Sequence, residues 1–376
     1  MSNSFAFLLP GPDILASVPV LRPGVAGIPP YEAGRPIEEV ARIVGFDPDD
    51  VIKLASNESP LPPFPEVITA IREAAAGVNR YPDNDWYELR RALAAHLGVT
   101  PEQLMFGGGS SELIRVIAQA VGGPGTSTIY PWPSFVVYRM ASVLAGSEGI
   151  EVALDARHRI DPEAIVGAVR ADTTLLFLCN PNNPTGTYLS AEALSTVTDR
   201  VPEQVLVVID EAYFEYATAP DYESLMAEAL ARPNVVITRT FSKVYGLAAL
   251  RVGYAVGQAE TLLALRRAQA PFTVSSLAQV AAREALGYPE RVEERVRLNE
   301  QERARIEKEL LARGVEHVPS QANFVYLRPG DESLDAFGRL LRVGVIVREM
   351  SRGWIRVTVG SPDENDRFLA ALQSLI

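Results

Sequence analysis

Only three side chains in this sequence are primary amines, the group that forms an imine with an aldehyde: Lys53, Lys243 and Lys308. Lys53 precedes LASNESP and Lys308 lies in a densely charged stretch, so both read as surface lysines. Lys243 ends TFSK (240–243), the polar tail of an apolar run. Three other apolar runs also end in polar groups: GGGSSE (107–112), NPNNPTG (180–186) and DEAY (210–213). Backbone N–H groups and hydroxyls at a helix start, as Ser110 and Ser111 would supply after three glycines, suit a phosphate. Asp210, at the end of VLVVID, could raise the proton affinity of a ring nitrogen, or simply cap a following helix. Taken singly, each segment reads equally well as a turn, a loop or a solvated charge. Their joint occurrence in this order carries the information.

Side chains so far apart in sequence meet only if a scaffold gathers the ends of its strands. Apolar, β-branched runs TSTIYP, GIEVAL, TLLFLCNP, VLVVIDEA, NVVITRTFSK and RVGYAVG alternate with helix-like stretches such as SSELIRVIAQAVG, SFVVYRMASVLAG and SAEALSTVTDRV. That alternation predicts an α/β fold with a mainly parallel sheet covered on both faces. Such sheets bind ligands at the carboxyl ends of their strands, where the four segments fall. The expected organisation is an N-terminal arm over 1–50, rich in Pro and Gly and extended, a large domain over 51–270, and a small α+β domain over 271–376. The small domain would comprise a long charged helix, the strands NFVYL, VIVR and WIRVTV, and a closing helix, with the arm packed against it.

On these motifs the sequence resembles the fold-type I pyridoxal-phosphate enzymes, specifically the histidinol-phosphate/aromatic amino acid aminotransferase family, from about Pro30 to the C-terminus. NRYPDN, LCNPNNPTGT, VVIDEAYFEY, RTFSKVYGLAALRVGY, PFTVSS, PSQANFVYL and WIRVTVG carry the resemblance. It implies pyridoxal 5′-phosphate as cofactor, an aspartate aminotransferase-like three-layer large domain with a smaller one, and a homodimer with shared sites. Lys243 matches the Schiff-base lysine, Asp210 the partner of the pyridine nitrogen, and Tyr213 and Asn183 the donors to the ring's phenolic oxygen. Ser110, Ser111, Thr240, Ser242 and Arg251 match phosphate ligands, and Tyr81 a tyrosine reaching the phosphate in the neighbouring subunit. Phe135 matches the aromatic stacked on the ring, with Trp132 as rival. On the substrate side, Arg356 matches a carboxylate-binding arginine, and Arg348 a second arginine able to meet the phosphate of histidinol phosphate. Tyr31, Asn57 and Asn323 would line the same pocket. A domain-docking or packing role remains open for Arg348 and Tyr31, and a turn role for Tyr81.

The resemblance implies amino-group transfer with ping-pong kinetics. PFTVSS and the eight-residue interval from Arg348 to Arg356 resemble the aromatic branch, so the expected substrates are an aromatic amino acid and a 2-oxo acid such as 2-oxoglutarate. Histidinol phosphate, a specialised biosynthetic substrate, or a lyase or decarboxylase reaction are the alternatives.

Composition narrows other classes. A net charge of −12 disfavours a nucleic-acid surface. No basic n-region precedes the first apolar stretch and no run of about 18 uncharged apolar residues occurs, so a cytoplasmic protein without membrane spans is expected. A phosphate-loop ATPase would need a lysine in GGGSSE, which has none, and the same turn lacks dinucleotide-site glycine spacing. No metal site is expected. Cys179, inside TLLFLC, reads as a buried small hydrophobe, and His96, His158 and His317 fall outside every motif.

Overall fold

The computed structural model describes residues 22–31, 34–330, 335–373 and 375. They fall into two compact units, divided between Glu32 and Ala33. In the first, a helical turn over Pro23–Ala26 precedes the exposed Tyr31, while residues 1–21 of the expected arm lie outside the described residues.

The second unit is built on seven strands: β2 (Leu104–Gly107), β3 (Ser127–Trp132), β4 (Glu148–Ala153), β5 (Thr173–Cys179), β6 (Leu206–Asp210), β7 (Val235–Thr240) and β8 (Gly253–Val256), in the order β2-β8-β7-β6-β5-β3-β4. Pairing is parallel from β7 through β6, β5 and β3 to β4, and antiparallel on either side of β8. Two reversals restore direction, so β2, β5, β6 and β7 all end at one edge, while β8 begins there. The central strands β6 and β7 are buried along their whole length, and β5 at all but Thr174, because helices cover both faces. On one face α4 (Ser110–Val121) and α5 (Val137–Ala145) pack Leu113, Ile117 and Tyr138 against Phe177 and Val208. On the other, Leu89, Leu194 and Val197 meet Ile209 and Ile237.

Helix α10 (Ser276–Ala285) follows residue 270, yet its small buried face, Ala278, Ala281, Ala282 and Ala285, joins this second core. The passage to the other core runs through α11 (Pro289–Ala312), 24 residues long. Beyond it stands an antiparallel sheet of β9 (Glu316–Val318), β10 (Phe324–Arg328), β12 (Arg348–Glu349) and β13 (Ile355–Thr358), ordered β12-β13-β10-β9 and closed by α13 (Pro362–Gln373).

Part of the expected extended arm is helical. α1 (Ile37–Val44) presents Val40 and Ala41 to Ile346 and Leu341, and β1 (Ile52–Lys53) pairs in parallel with β11 (Val345–Ile346). Residues 37–53 thus pack with the C-terminal sheet region. Among the described residues, no helix is long and apolar enough to cross a membrane, and no cluster of His, Cys, Asp or Glu is disposed to hold a metal.

Candidate active site at the sheet edge

β6 ends at Asp210, which is 1% exposed. Tyr138 donates its hydroxyl to Oδ2 at 2.8 Å and Thr238 to Oδ1 at 3.2 Å. Among the described residues no ion pair includes Asp210. Burial pushes its pKa up to about 6, against the opposing pull of the Tyr138 and Thr238 hydroxyls. Tyr138 is itself fixed by stacking on Phe177, with ring centroids 4.8 Å apart, and it meets the edge of Phe135 at 5.7 Å. Trp132 instead carries the Arg139 guanidinium, 4.5 Å from its centroid. Phe135, not Trp132, is therefore the aromatic linked to Asp210.

Lys243 follows the next strand end, three residues after β7 finishes at Thr240. Its Nζ donates to the Ser56 carbonyl at 3.3 Å and lies 5.5 Å from the Tyr213 ring centroid. Some of its side-chain surface remains exposed, but the amine is enclosed by protein. Burial brings its pKa down to about 7; Arg356 and Arg251 push the same way, while Glu58 and Asp210 oppose. A substantial fraction of this lysine is therefore neutral, and nucleophilic, near pH 7. Lys53, expected on the surface, is half-buried in β1 and pairs with Glu58 at 3.3 Å; Lys308 is exposed.

A polar cradle adjoins the amine. Gly109 (φ +80°) ends the glycine run and leads into α4, whose first residues are Ser110 and Ser111. A Cβ at Gly109 would collide with Nη2 of Arg251, and one at Gly253 would come within 2.6 Å of the Ser110 amide. β8 and the start of α4 therefore approach as closely as glycine allows. Arg251 holds an unusual φ of +53° and donates from Nη1 to Ser242 Oγ (3.3 Å) and the Ala248 carbonyl (2.9 Å). Thr240 Oγ1 donates to Ser242 Oγ at 2.9 Å. Hydroxyls, a guanidinium and helix-start N–H groups thus converge where an anion would be stabilised.

Facing the amine from the other side, Asn57 donates from Nδ2 to the Tyr213 hydroxyl at 3.0 Å, and Asn323 donates to the Asn57 carbonyl at 3.1 Å. Arg356 donates to Asn183 Oδ1 and, at 2.7 Å, to the Ala55 carbonyl. Arg348 is its register partner across β12 and β13, so both side chains leave the same face of the sheet. The structure thus gathers Lys243, Asp210, Tyr213, Asn183, Asn57, Asn323, Arg356, Ser110, Thr240, Ser242 and Arg251 around one edge. Ser111 and Phe135 adjoin it, and Arg348 neighbours Arg356.

One expected residue stands apart. Tyr81 is 80% exposed and stacks on Phe272 at 4.5 Å, not on any residue near Lys243. Tyr31 belongs to the separate N-terminal unit. Sequence reasoning missed Tyr138, Thr238, Ser56 and Glu58. Tyr138 sits in an apolar helical stretch where it reads as core, and Ser56 acts through its backbone, which side-chain type cannot signal. His158, assigned no role, packs against Trp354 at 4.6 Å and Tyr326 at 5.6 Å, between the two sheet regions.

Comparison with known proteins agrees with this geometry. The model of the family described as aminotransferase class I and II matches residues 49–372. Histidinol-phosphate aminotransferase 1 of Cupriavidus pinatubonensis is 44% identical, over 93% of this chain and 94% of its own. An aromatic amino acid aminotransferase of Thermobifida fusca is 42% identical, over 95% of this chain and 97% of its own. Among solved structures, the histidinol-phosphate aminotransferase of Sinorhizobium meliloti in complex with pyridoxal-5′-phosphate superposes with a TM-score of 0.87 at 28% identity, covering 96% of this chain and all of that one.

Proposed function

Because the chain belongs to the class I and II aminotransferases and uses pyridoxal 5′-phosphate, we propose that it moves the amino group of histidinol phosphate to a 2-oxo acid such as 2-oxoglutarate. The residues present fit the cofactor. Asp210 is a buried carboxylate paired with hydroxyls rather than a protein cation, which suits a protonated ring nitrogen. The cradle of Ser110, Ser111, Thr240, Ser242 and Arg251 suits a phosphate at the other end of the ring. When bound, pyridoxal 5′-phosphate supplies an aldehyde to receive the amino group and an electron sink for the substrate's Cα electrons.

The protein's part is attachment, proton transfer and orientation. Lys243 provides the amine that holds the cofactor and, once released, takes and returns the proton at the substrate Cα; its position near neutrality suits both directions. Asp210 keeps the ring nitrogen cationic, held as a carboxylate by Tyr138 and Thr238. With the cofactor bound, Tyr213 and Asn183 would donate to its phenolic oxygen, and Phe135 would cover the ring. The homodimer expected from sequence supplies Tyr81 across the interface, in keeping with its exposure in the single chain. Because one pocket serves donor and acceptor in turn, ping-pong kinetics follow.

The donor is the finer assignment. The observation that supports it is the pair Arg348 and Arg356, adjacent on one face of the small sheet, which suits a phosphate dianion and equally the two carboxylates of glutamate or 2-oxoglutarate. Relatives named histidinol-phosphate aminotransferase favour this donor over the aromatic amino acid preferred on the short motifs. The aromatic reading keeps support from the Thermobifida fusca relative. Steady-state kcat/KM for histidinol phosphate and phenylalanine, each with 2-oxoglutarate, tests the assignment. A larger value for histidinol phosphate is expected; a larger value for phenylalanine reverses it.

A further inference from the structure

Helix α11 is densely charged, yet it buries Arg295, Asn299 and Arg303. Spaced four apart, the three lie along one helix face. All of them donate to backbone carbonyls. Arg295 reaches Val244 from Nη1 at 2.9 Å and Pro62 from Nη2, Asn299 reaches Ala322 at 3.4 Å, and Arg303 reaches Ala322 at 3.2 Å and Tyr216 at 3.4 Å. Each carbonyl belongs to a segment bearing a site residue. Val244 follows Lys243, Pro62 closes the loop that begins with Ser56 and Asn57, Tyr216 lies just beyond Tyr213, and Ala322 precedes Asn323.

We propose that Arg295 is a positioning residue for Lys243: by clamping the Val244 and Pro62 carbonyls it fixes the spacing of the two loops between which the lysine amine is held. The inference rests on reading Lys243 as the reacting amine. Three observations support it. Arg295 is 8% exposed and, among the described residues, enters no ion pair, an arrangement that costs stability compared with an apolar side chain. Its planar fork reaches two carbonyls on separate loops, one from each terminal nitrogen, while Phe64 packs beneath, its ring centroid 4.3 Å from the guanidinium carbon. Gly246 (φ +71°) lies under the same guanidinium, where a Cβ would come within 2.9 Å of Nη1.

The charged groups that act most strongly on the Lys243 amine are Arg356, Glu58, Arg251 and Asp210, and the Tyr213 ring lies 5.5 Å from it. Arg295 reaches the lysine through backbone; because Arg295→Met also removes a positive charge, the charge-retaining Arg295→Lys separates placement of the amine from loss of a charge.

The test uses the full-length chain freed of cofactor. Acylation of Lys243 by an amine-reactive ester is followed against pH by peptide mass spectrometry, which three lysines make unambiguous. The wild-type midpoint should fall near 7. In Arg295→Met the amine relaxes towards water, and the midpoint should rise by at least about half a unit. In the reloaded enzyme kcat should fall by about tenfold or more, with KM changed less. Arg295→Lys, which keeps the charge but loses the rigid fork, should lie between. An unshifted midpoint in folded Arg295→Met overturns the proposal, even if its Tm drops. Should that variant not fold, an unshifted midpoint in Arg295→Lys overturns it instead. Lys243→Ala, run in parallel, separates the premise: cofactor still trapped by borohydride in that variant would refute Lys243 as the attachment point, while the midpoints continue to judge Arg295.

Discussion

An amine brought down to about 7 is a liability for folding and an asset for chemistry. Its ordinary value is 10.5, so between those limits the unfolded chain binds more protons than the folded one. The cofactor-free protein therefore gains stability from this group as pH rises through that window, and carries the full penalty below it. The neutral form is also the one that attacks an aldehyde. Incorporation of pyridoxal 5′-phosphate into cofactor-free protein, followed by visible absorbance, should accelerate from acid to alkaline pH with a midpoint near 7. A rate that climbs only near 10 would place the attachment elsewhere. Asp210 offers the companion test. Tyr138→Phe removes a hydroxyl that favours the carboxylate, so the acidic limb of the kcat profile should move to higher pH, and kcat at neutrality should fall by about three- to tenfold. At this scale Lys243 was legible because the chain has only three lysines, and Asp210 because it ends an apolar strand. Tyr138 was not, because helical spacing makes a buried tyrosine indistinguishable from packing until its hydroxyl is seen.

Elements decide whether such residues meet. The inner strands of the large sheet were legible because they are largely apolar runs bounded by turn residues, the pattern burial on both faces demands, whereas the edge strand β4, EGIEVA, is mostly exposed. α1 and the pairing of β1 with β11 were not. Two-residue strands carry no period, and the proline and glycine around α1 hide a helix that forms by packing Val40 and Ala41 on the small-sheet region. The apparent strand VIVR is likewise divided, β11 pairing with β1 and β12 with β13, so Arg348 faces Arg356 instead of continuing one ladder. The junction of β2 and α4 makes the sharpest demand on sequence. Gly109→Ala would place a methyl group on Arg251 at a φ that L-residues disfavour, by about 1 kcal/mol for the backbone alone. With the guanidinium displaced as well, cofactor Kd should rise by at least about tenfold, measured by equilibrium dialysis, while the far-ultraviolet circular dichroism stays native. Unchanged affinity would show that the cradle does not hold the phosphate.

At the level of the whole molecule, the single chain leaves one motif unused. Tyr81 in NRYPDN lies with Phe272 as an exposed stacked pair, 80% and 44% exposed, and nothing within its own chain brings it to the cradle. An aromatic pair this exposed is a natural interface element. If two copies associate about a two-fold axis, Tyr81 of each would serve the other's site. The arrangement has a genetic-style signature in solution. Lys243→Ala abolishes the site of the subunit that carries it, and Tyr81→Ala weakens the site of the subunit opposite. In a hybrid dimer of the two variants both lesions fall on one site, and the other is intact. After unfolding and co-refolding equal amounts, statistical pairing should recover roughly a quarter of wild-type activity at limiting cofactor, far above either parent. If Tyr81 acts within its own chain, or has no part in the site, the mixture can reach no more than the average of its parents. The two outcomes differ in kind, because only a shared site lets two damaged subunits restore one another.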